Sequence, residues 1–253
     1  MSKPVFVLLH GAWHSPTCWD HVIAALNRQG YSAVAPALPS TGSTPPTPDW
    51  SGDVKTIRKT VLELIQENHN VIVVAHSFSG MTAGTALEGL DKRACESKGL
   101  KGGVVRLIYI NAFLVPEGFQ HSPHGTRNNM IPEMKTDFTA GTINVQPEDA
   151  KDMFYQDLDD NTVAELSKNL RPQSIASYWS TTTYAAWRYI PTAYILCAGD
   201  RPTTVAAAQY LIDTAKSSGP HKIDVILKIE AGHSPFLSMP EYTAEALTRI
   251  GQL

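Results

Sequence analysis

Cysteine is scarce in this 253-residue sequence, which holds only Cys18, Cys95 and Cys197. Their number is odd and their spacing fits no metal-binding pattern, so the sequence predicts neither a disulfide framework nor a structural zinc site. We interpret the three thiols as reduced packing residues.

Strong charge and long apolar runs are also missing. The formal net charge is -3 at pH 7, and no basic run is present, which disfavours a nucleic acid or an anionic membrane surface as partner. The apolar runs are strand-sized, and Met1 to Pro4 leads directly into the first of them, so we expect no signal peptide and no spanning helix. These features predict a cytoplasmic monomer or homodimer that acts on a small molecule.

The most informative stretch is a buried strand that ends in a very tight turn. Four apolar residues, Val71 to Val74, precede Ala75-His-Ser-Phe-Ser79, and a helix rich in small residues follows. This pattern is a variant of Gly-x-Ser-x-Gly, with Gly80 one place late, and it would expose Ser77 at the carboxyl edge of a sheet. Alone, the stretch is also compatible with a turn in a nucleotide-binding sheet.

Strands and helices alternate on both sides of this turn. The alternation predicts an α/β protein with a mostly parallel central sheet of about six strands flanked by helices. Regularity is lost in residues 114–189, which we interpret as a mainly helical lid inserted after the fourth strand. The core would then comprise residues 1–113 and 190–253.

Two further strand ends carry residues that could activate a serine. Asp200 follows an apolar strand, and His233 follows the last one, so both should lie at the edge where Ser77 emerges. A serine nucleophile needs a histidine base and an acid that orients the base. Some hydrolases take the acid from the strand near residue 111, but this chain has Asn111 there, which favours Asp200.

Several motifs together resemble the α/β-hydrolases, and within them the branch of plant methylesterases, salicylate-binding esterases and hydroxynitrile lyases. The motifs are His10-Gly-Ala12, Ala75-His-Ser-Phe-Ser-Gly80, Asn111-Ala-Phe-Leu-Val-Pro116, Leu170-Arg-Pro-Gln-Ser174, Gly199-Asp-Arg201 and Gly232-His-Ser-Pro-Phe236. The resemblance implies a Ser77, His233 and Asp200 triad without a cofactor. It also implies an oxyanion hole formed by the backbone amides of Ala12 and Phe78.

Aromatic residues concentrate in the second half of the expected lid. They predict a mostly apolar pocket, although lid packing would explain each of them singly. The side chains that we expect to contact substrate are Trp13, Met153, Trp179, Trp187 and Phe236. His10 and His76 are expected to support the site through hydrogen bonds. The pair His121 and His124 lacks further ligands, so no metal is expected there.

Three functions are compatible with these residues. The leading hypothesis is hydrolysis of a small ester or lactone, and the second is carbon–carbon bond chemistry with the same triad. Hydroxynitrile lyases that resemble this chain have Thr where Gly11 stands and Lys where Ser234 stands, which disfavours the cyanohydrin reaction. The third is a small-molecule receptor with little activity.

Overall fold

A computed structural model describes residues 3–253, and the expectation for the first residues therefore falls partly on Met1 and Ser2, outside the described range. The strands, in chain order, are β1 (Val5–Leu9), β2 (Ala33–Val34), β3 (Asn70–His76), β4 (Gly103–Ile110), β5 (Lys135–Asp137), β6 (Thr142–Asn144), β7 (Gln173–Ser174), β8 (Thr192–Cys197) and β9 (Ile223–Ile229). The helices are α1 (Asp20–Arg28), α2 (Ser51–Gln66), α3 (Ser79–Ala86), α4 (Lys92–Ser97), α5 (Pro147–Phe154), α6 (Asp160–Ser167), α7 (Val205–Ser217), α8 (Pro235–Ser238) and α9 (Pro240–Gly251).

Six strands form the central sheet in the order β2-β1-β3-β4-β8-β9. Every neighbouring pair in this sheet is parallel. The predicted fold class is therefore confirmed, and the carboxyl ends of β3, β8 and β9 lie along one edge.

The sheet is buried on both faces, which explains the continuous apolar runs of its inner strands. Alternate residues of β1 point to opposite sides: Phe6 and Leu8 pack with α1 and α9, whereas Val7 and Leu9 pack with α2, α3 and α7. All four side chains are fully buried. This two-sided core holds the strand ends rigidly enough to position side chains for chemistry.

The segment between β4 and β8 contains helices α5 and α6, as predicted, together with a small antiparallel sheet in the order β5-β6-β7. The sequence analysis missed this sheet because strands of two or three residues are too short to show an alternating pattern. It also missed the one-and-a-half-turn helix α4.

A buried glutamine joins this segment to the core. Gln173 donates from Nε2 to Ser40 Oγ at 2.9 Å and accepts from Thr41 Oγ1 at 2.6 Å. Ser40 in turn donates its backbone N–H to Asp53 Oδ1 at 2.8 Å, and burial raises the pKa of Asp53 to about 6. The segment is thereby fixed over the carboxyl edge of the sheet. Within residues 3–253, no helix has both the length and the hydropathy needed to cross a membrane.

Candidate active site

The turn between β3 and α3 has the geometry expected of a nucleophile elbow. Ser77 adopts a left-handed backbone conformation with φ of 53°, which is uncommon for a residue other than glycine. Its backbone N–H donates to Ile110 O at 3.3 Å, and α3 starts two residues later. The chain therefore reverses sharply at Ser77.

Small residues after Ser77 make this reversal possible. A Cβ atom at Gly80 would lie 2.7 Å from the backbone oxygen of Phe113, so no side chain fits there. Ser79 is fully buried, and its hydroxyl accepts the His76 N–H at 3.0 Å. Gly80, one place later than in the Gly-x-Ser-x-Gly pattern, is therefore the residue after Ser77 that packs directly against the backbone of Phe113.

Asp200 and His233 meet at the ends of β8 and β9. His233 Nδ1 lies 2.6 Å from Asp200 Oδ2, and both side chains are buried. Asp200 Oδ1 accepts the Thr203 N–H at 2.9 Å, and Asn111 Nδ2 donates to Oδ2. These bonds fix the carboxylate, which in turn fixes the His233 ring with Nε2 as its remaining nitrogen.

Ser77 and His233 both line one cavity of about 210 Å³ at this edge. No hydrogen bond joins the two side chains within residues 3–253, as is common before a substrate is bound. The apolar part of the wall comes from the loop after β1, the segment after β4 and helix α5. Its members include Trp13, Phe113, Ile131, Met134, Met153 and Phe154.

The loop after β1 runs directly beside Ser77. A Cβ atom at Gly11 would lie 3.0 Å from Ser77 Cβ and 2.8 Å from His76 Nδ1. Ala12 follows Gly11, and Phe78 follows Ser77 at the start of α3. Neither amide of Ala12 or Phe78 donates a hydrogen bond to another group of residues 3–253.

Three buried histidines surround His233 without adding charge. His76 donates from Nε2 to the backbone oxygen of His233 at 2.9 Å, and its ring centroid lies 4.6 Å from that of His233. Burial lowers the pKa of His10 and of His14 to about 4, and that of His76 well below its usual value. They are neutral at pH 7, so they add no positive charge to the site.

His10 and His76 both make the hydrogen bonds that were expected of them. His76 bonds to the backbone of His233, and His10 Nε2 accepts the Leu38 N–H at 3.1 Å. His14 was not predicted. It receives a hydrogen bond from the Tyr155 hydroxyl at 3.0 Å and packs edge-on against Phe154. Its position just after the His-Gly motif was the available signal.

Two residues between α5 and α6 hold the loop that carries His233. Gln156 Oε1 accepts the His233 N–H, and Asp157 Oδ2 accepts the Gly232 N–H, both at 2.9 Å. A Cβ atom at Gly232 would lie 2.5 Å from Gln156 Oε1, so a larger residue there would displace this side chain from its contact. The sequence analysis missed both residues because nothing in their local pattern indicates a long-range contact.

The five side chains expected to contact substrate fall into two groups. Trp13 and Met153 line the cavity. Trp179 lies outside the cavity lining. Its ring stacks on Phe138, and its Nε1 donates to Thr126 O at 2.7 Å.

Trp187 and Phe236 also lie outside the cavity lining, because both are fully buried in the core. Trp187 belongs to the cluster on the α2, α3 and α7 side of the sheet and donates to Val115 O at 2.9 Å. Phe236 packs below the site, with its ring centroid 4.3 Å from that of Trp19 and 4.7 Å from that of His76. Among the Phe, Tyr and Trp residues of the segment, Phe154 and Tyr178 line the cavity instead.

No group of three or more potential metal ligands occurs in the described part of the chain. His121 and His124, the pair considered above, have different surroundings. His121 lines the cavity, whereas His124 packs against the Trp179 ring.

Comparison with known proteins places these features in a family. The sequence matches the alpha/beta hydrolase family over residues 6–246. It is 30% identical to the alpha/beta hydrolase nvfD of Aspergillus novofumigatus over 95% of this chain and 94% of that protein.

Two solved structures show the same fold. A methylesterase from Arabidopsis has a TM-score of 0.73 at 22% identity, covering 97% of this chain and 98% of that one. Tomato methylketone synthase I, complexed with beta-ketoheptanoate, has a TM-score of 0.75 at 17% identity, covering 100% of this chain and 99% of that one. The relatives include the methylesterase branch that the motifs indicated, and the chain belongs to the alpha/beta hydrolase family.

Proposed function

We propose that the protein is a serine hydrolase of small, mostly apolar carboxylic esters or lactones. The observation that carries the proposal is the 2.6 Å bond between Asp200 and His233, with His233 and Ser77 in one cavity. Each residue ends a different strand of the parallel sheet, in the chain order Ser, Asp, His typical of this architecture.

The reaction follows from this arrangement. Ser77 Oγ attacks the substrate carbonyl and gives its proton to His233 Nε2, while Asp200 holds the ring and stabilises its positive charge. The unpaired amides of Ala12 and Phe78 would bind the oxyanion. His233 then protonates the leaving alcohol, and water, activated by the same histidine, hydrolyses the acyl-enzyme.

The cavity limits the size of the substrate. Its volume of about 210 Å³ lies below the range of roughly 300–1,000 Å³ typical of drug-sized ligand sites. Aromatic and methionine side chains form much of the wall, which favours an apolar acyl or alcohol group. We propose that residues 114–189 act as the lid that selects this group without supplying the triad.

The relatives support the proposal and also define its competitor. A methylesterase is among them, whereas the methylketone synthase structure holds a beta-keto acid. Carbon–carbon bond cleavage by the same triad is therefore the alternative.

The test is a panel of p-nitrophenyl esters of graded acyl length, methyl esters, lactones and beta-keto acids, with intact-mass detection of an acyl-enzyme. An acyl adduct on Ser77 would support hydrolysis, whereas turnover of keto acids alone would support cleavage. Binding without turnover would indicate a receptor.

The cyanohydrin reaction should be absent or slow. The space that a threonine would need at position 11 is taken by His76, whose Nδ1 would lie 2.8 Å from its Cβ. We expect aryl esters to be hydrolysed faster than mandelonitrile releases cyanide, measured on one preparation with Ser77→Ala as the blank. Cyanide release that depends on Ser77 and exceeds ester hydrolysis would replace this proposal by a lyase.

Gln156 should act as a positioning residue for His233. Gln156→Leu keeps the size of the side chain but leaves the His233 N–H without its acceptor, so we expect kcat for p-nitrophenyl butyrate to fall about tenfold, with less change in KM. Gln156→Glu retains an oxygen acceptor and should restore most of kcat. If both variants lost the same activity, side-chain packing rather than this bond would explain the effect.

A further inference from the structure

One polar side chain in the cavity wall has no role in the proposed reaction. His121 comes from the loop after β4 and is only 9% exposed. Its ring centroid lies 4.9 Å from that of Tyr178 and 5.5 Å from that of Phe113, and both neighbours stand nearly perpendicular to it. The ring is therefore held in a fixed orientation among aromatic residues that also line the cavity.

The hydrogen bonds around this ring determine which nitrogen carries the proton. Ser122 Oγ donates its single proton to the backbone oxygen of Asn128. Ser122 Oγ can then only accept from His121 Nδ1, which lies 3.1 Å away. His121 consequently carries its proton on Nδ1 and presents a lone pair on Nε2.

This Nε2 atom has no hydrogen-bond partner within residues 3–253. It is not completely buried, because it retains some accessible surface. Because the ring lines the cavity, Nε2 is open to a ligand. Burial lowers the pKa of His121 to about 4, which keeps the ring neutral and Nε2 an acceptor at neutral pH.

Asn129, from the same loop, has a second free acceptor. Asn129 donates from Nδ2 to the backbone oxygen of His121 at 2.8 Å, which leaves Oδ1 as the free oxygen of its amide. Asn129 also lines the cavity, and its backbone is left-handed, with φ of 66°. The loop thus places two acceptors into a wall that is otherwise mainly apolar.

We propose that His121 Nε2, assisted by Asn129 Oδ1, binds a hydrogen-bond donor on the substrate, such as a hydroxyl or N–H group remote from the reacting carbonyl. The inference rests on the proposed function, because it assigns a polar group to the substrate of that same cavity. An unfunctionalised substrate would displace water from Nε2 and leave it unpaired. A site built to bond a hydroxyl group rejects analogues that lack it.

Ligand binding tests the inference without requiring turnover. The probes are methyl phenylacetate, its three ring-hydroxylated isomers and the three matching fluoro isomers, titrated by calorimetry into Ser77→Ala protein. We expect at least one hydroxylated isomer to bind about tenfold or more tightly than its fluoro counterpart, which is similar in size but donates no hydrogen bond. Equal affinities for all pairs would overturn the proposal, whatever His121 variants do.

The protein side of the contact is tested with His121→Phe in the same Ser77→Ala background. The preference for the hydroxylated isomer should disappear, while the affinity for the unsubstituted ester should not fall, because its binding no longer leaves a nitrogen unpaired. His124→Phe is the matched control, since His124 lies in the same loop but outside the cavity lining. A preference that survives His121→Phe would assign donor recognition to another group.

These outcomes are separate from a failure of the proposed function. Fluorophosphonate labelling of unsubstituted Ser77 reports on the nucleophile alone. Labelling without a hydroxyl preference would reject only the His121 inference. A hydroxyl preference without labelling would retain the binding site and reject the hydrolase mechanism.

Discussion

Ser77→Ala should lower ester turnover by about four orders of magnitude or more while the protein stays folded. The chemical reason is that Ser79, the other hydroxyl at the elbow, is buried and hydrogen-bonded to the backbone, so attack on the carbonyl would depend on water. The structural reason is that Ser77 Oγ makes no hydrogen bond within residues 3–253. Its loss should therefore change the free energy of unfolding by no more than about 0.5 kcal/mol.

Hydrolysis of p-nitrophenyl butyrate and thermal unfolding together check this expectation. Ser234→Ala is the control, because Ser234 Oγ is a buried hydroxyl close to the site with no hydrogen-bond partner among residues 3–253. That variant should keep near-normal activity. A Ser77→Ala protein that retained more than about a tenth of the original turnover would disprove the nucleophile assignment.

Asp200→Asn should lower kcat by about three to four orders of magnitude, the second largest effect. The Asp200 carboxylate accepts a hydrogen bond from the protonated Nδ1 of His233, at 2.6 Å. An asparagine could turn its amide N–H toward Nδ1 and favour the tautomer with the proton on Nε2, which cannot accept the Ser77 proton. Asn111 Nδ2 also donates to this carboxylate, so the substituted amide would meet a second donor.

The rate should be measured with Asp213→Asn as a control, since Asp213 is an exposed carboxylate on α7 whose side chain accepts a hydrogen bond from Gln209. Circular dichroism and unfolding of Asp200→Asn should be recorded alongside, because Thr203 also depends on this side chain. Full activity in a folded Asp200→Asn protein would mean that another group orients His233.

Much of the site architecture can be predicted from local patterns. The apolar run before Ala75 and the small residues after Ser77 together specify a strand, a sharp turn and a helix, because burial and steric fit depend on near neighbours in sequence. The positions of Asp200 and His233 after apolar strands place them at one edge once the sheet is parallel, since all carboxyl ends then share that edge.

Local patterns could not assign the aromatic residues. Trp187 and Trp179 lie close in sequence, yet one is in the core and the other stacks outside the cavity. An apolar side chain signals that it will be buried, but the surface that buries it comes from distant parts of the chain. The strands β5, β6 and β7, of two or three residues each, were missed for the same reason, because their pairing rather than their periodicity defines them.

The sequence by itself therefore determined the parallel sheet, the elbow at Ser77 and the residues that can complete a triad. Only the tertiary structure decided that Gln156 holds the loop of His233 and that His121 presents a lone pair to the cavity. Hydrophobic periodicity and turn sterics are properties of short segments, whereas a hydrogen bond across 77 residues, such as that from His233 to Gln156, depends on how those segments pack.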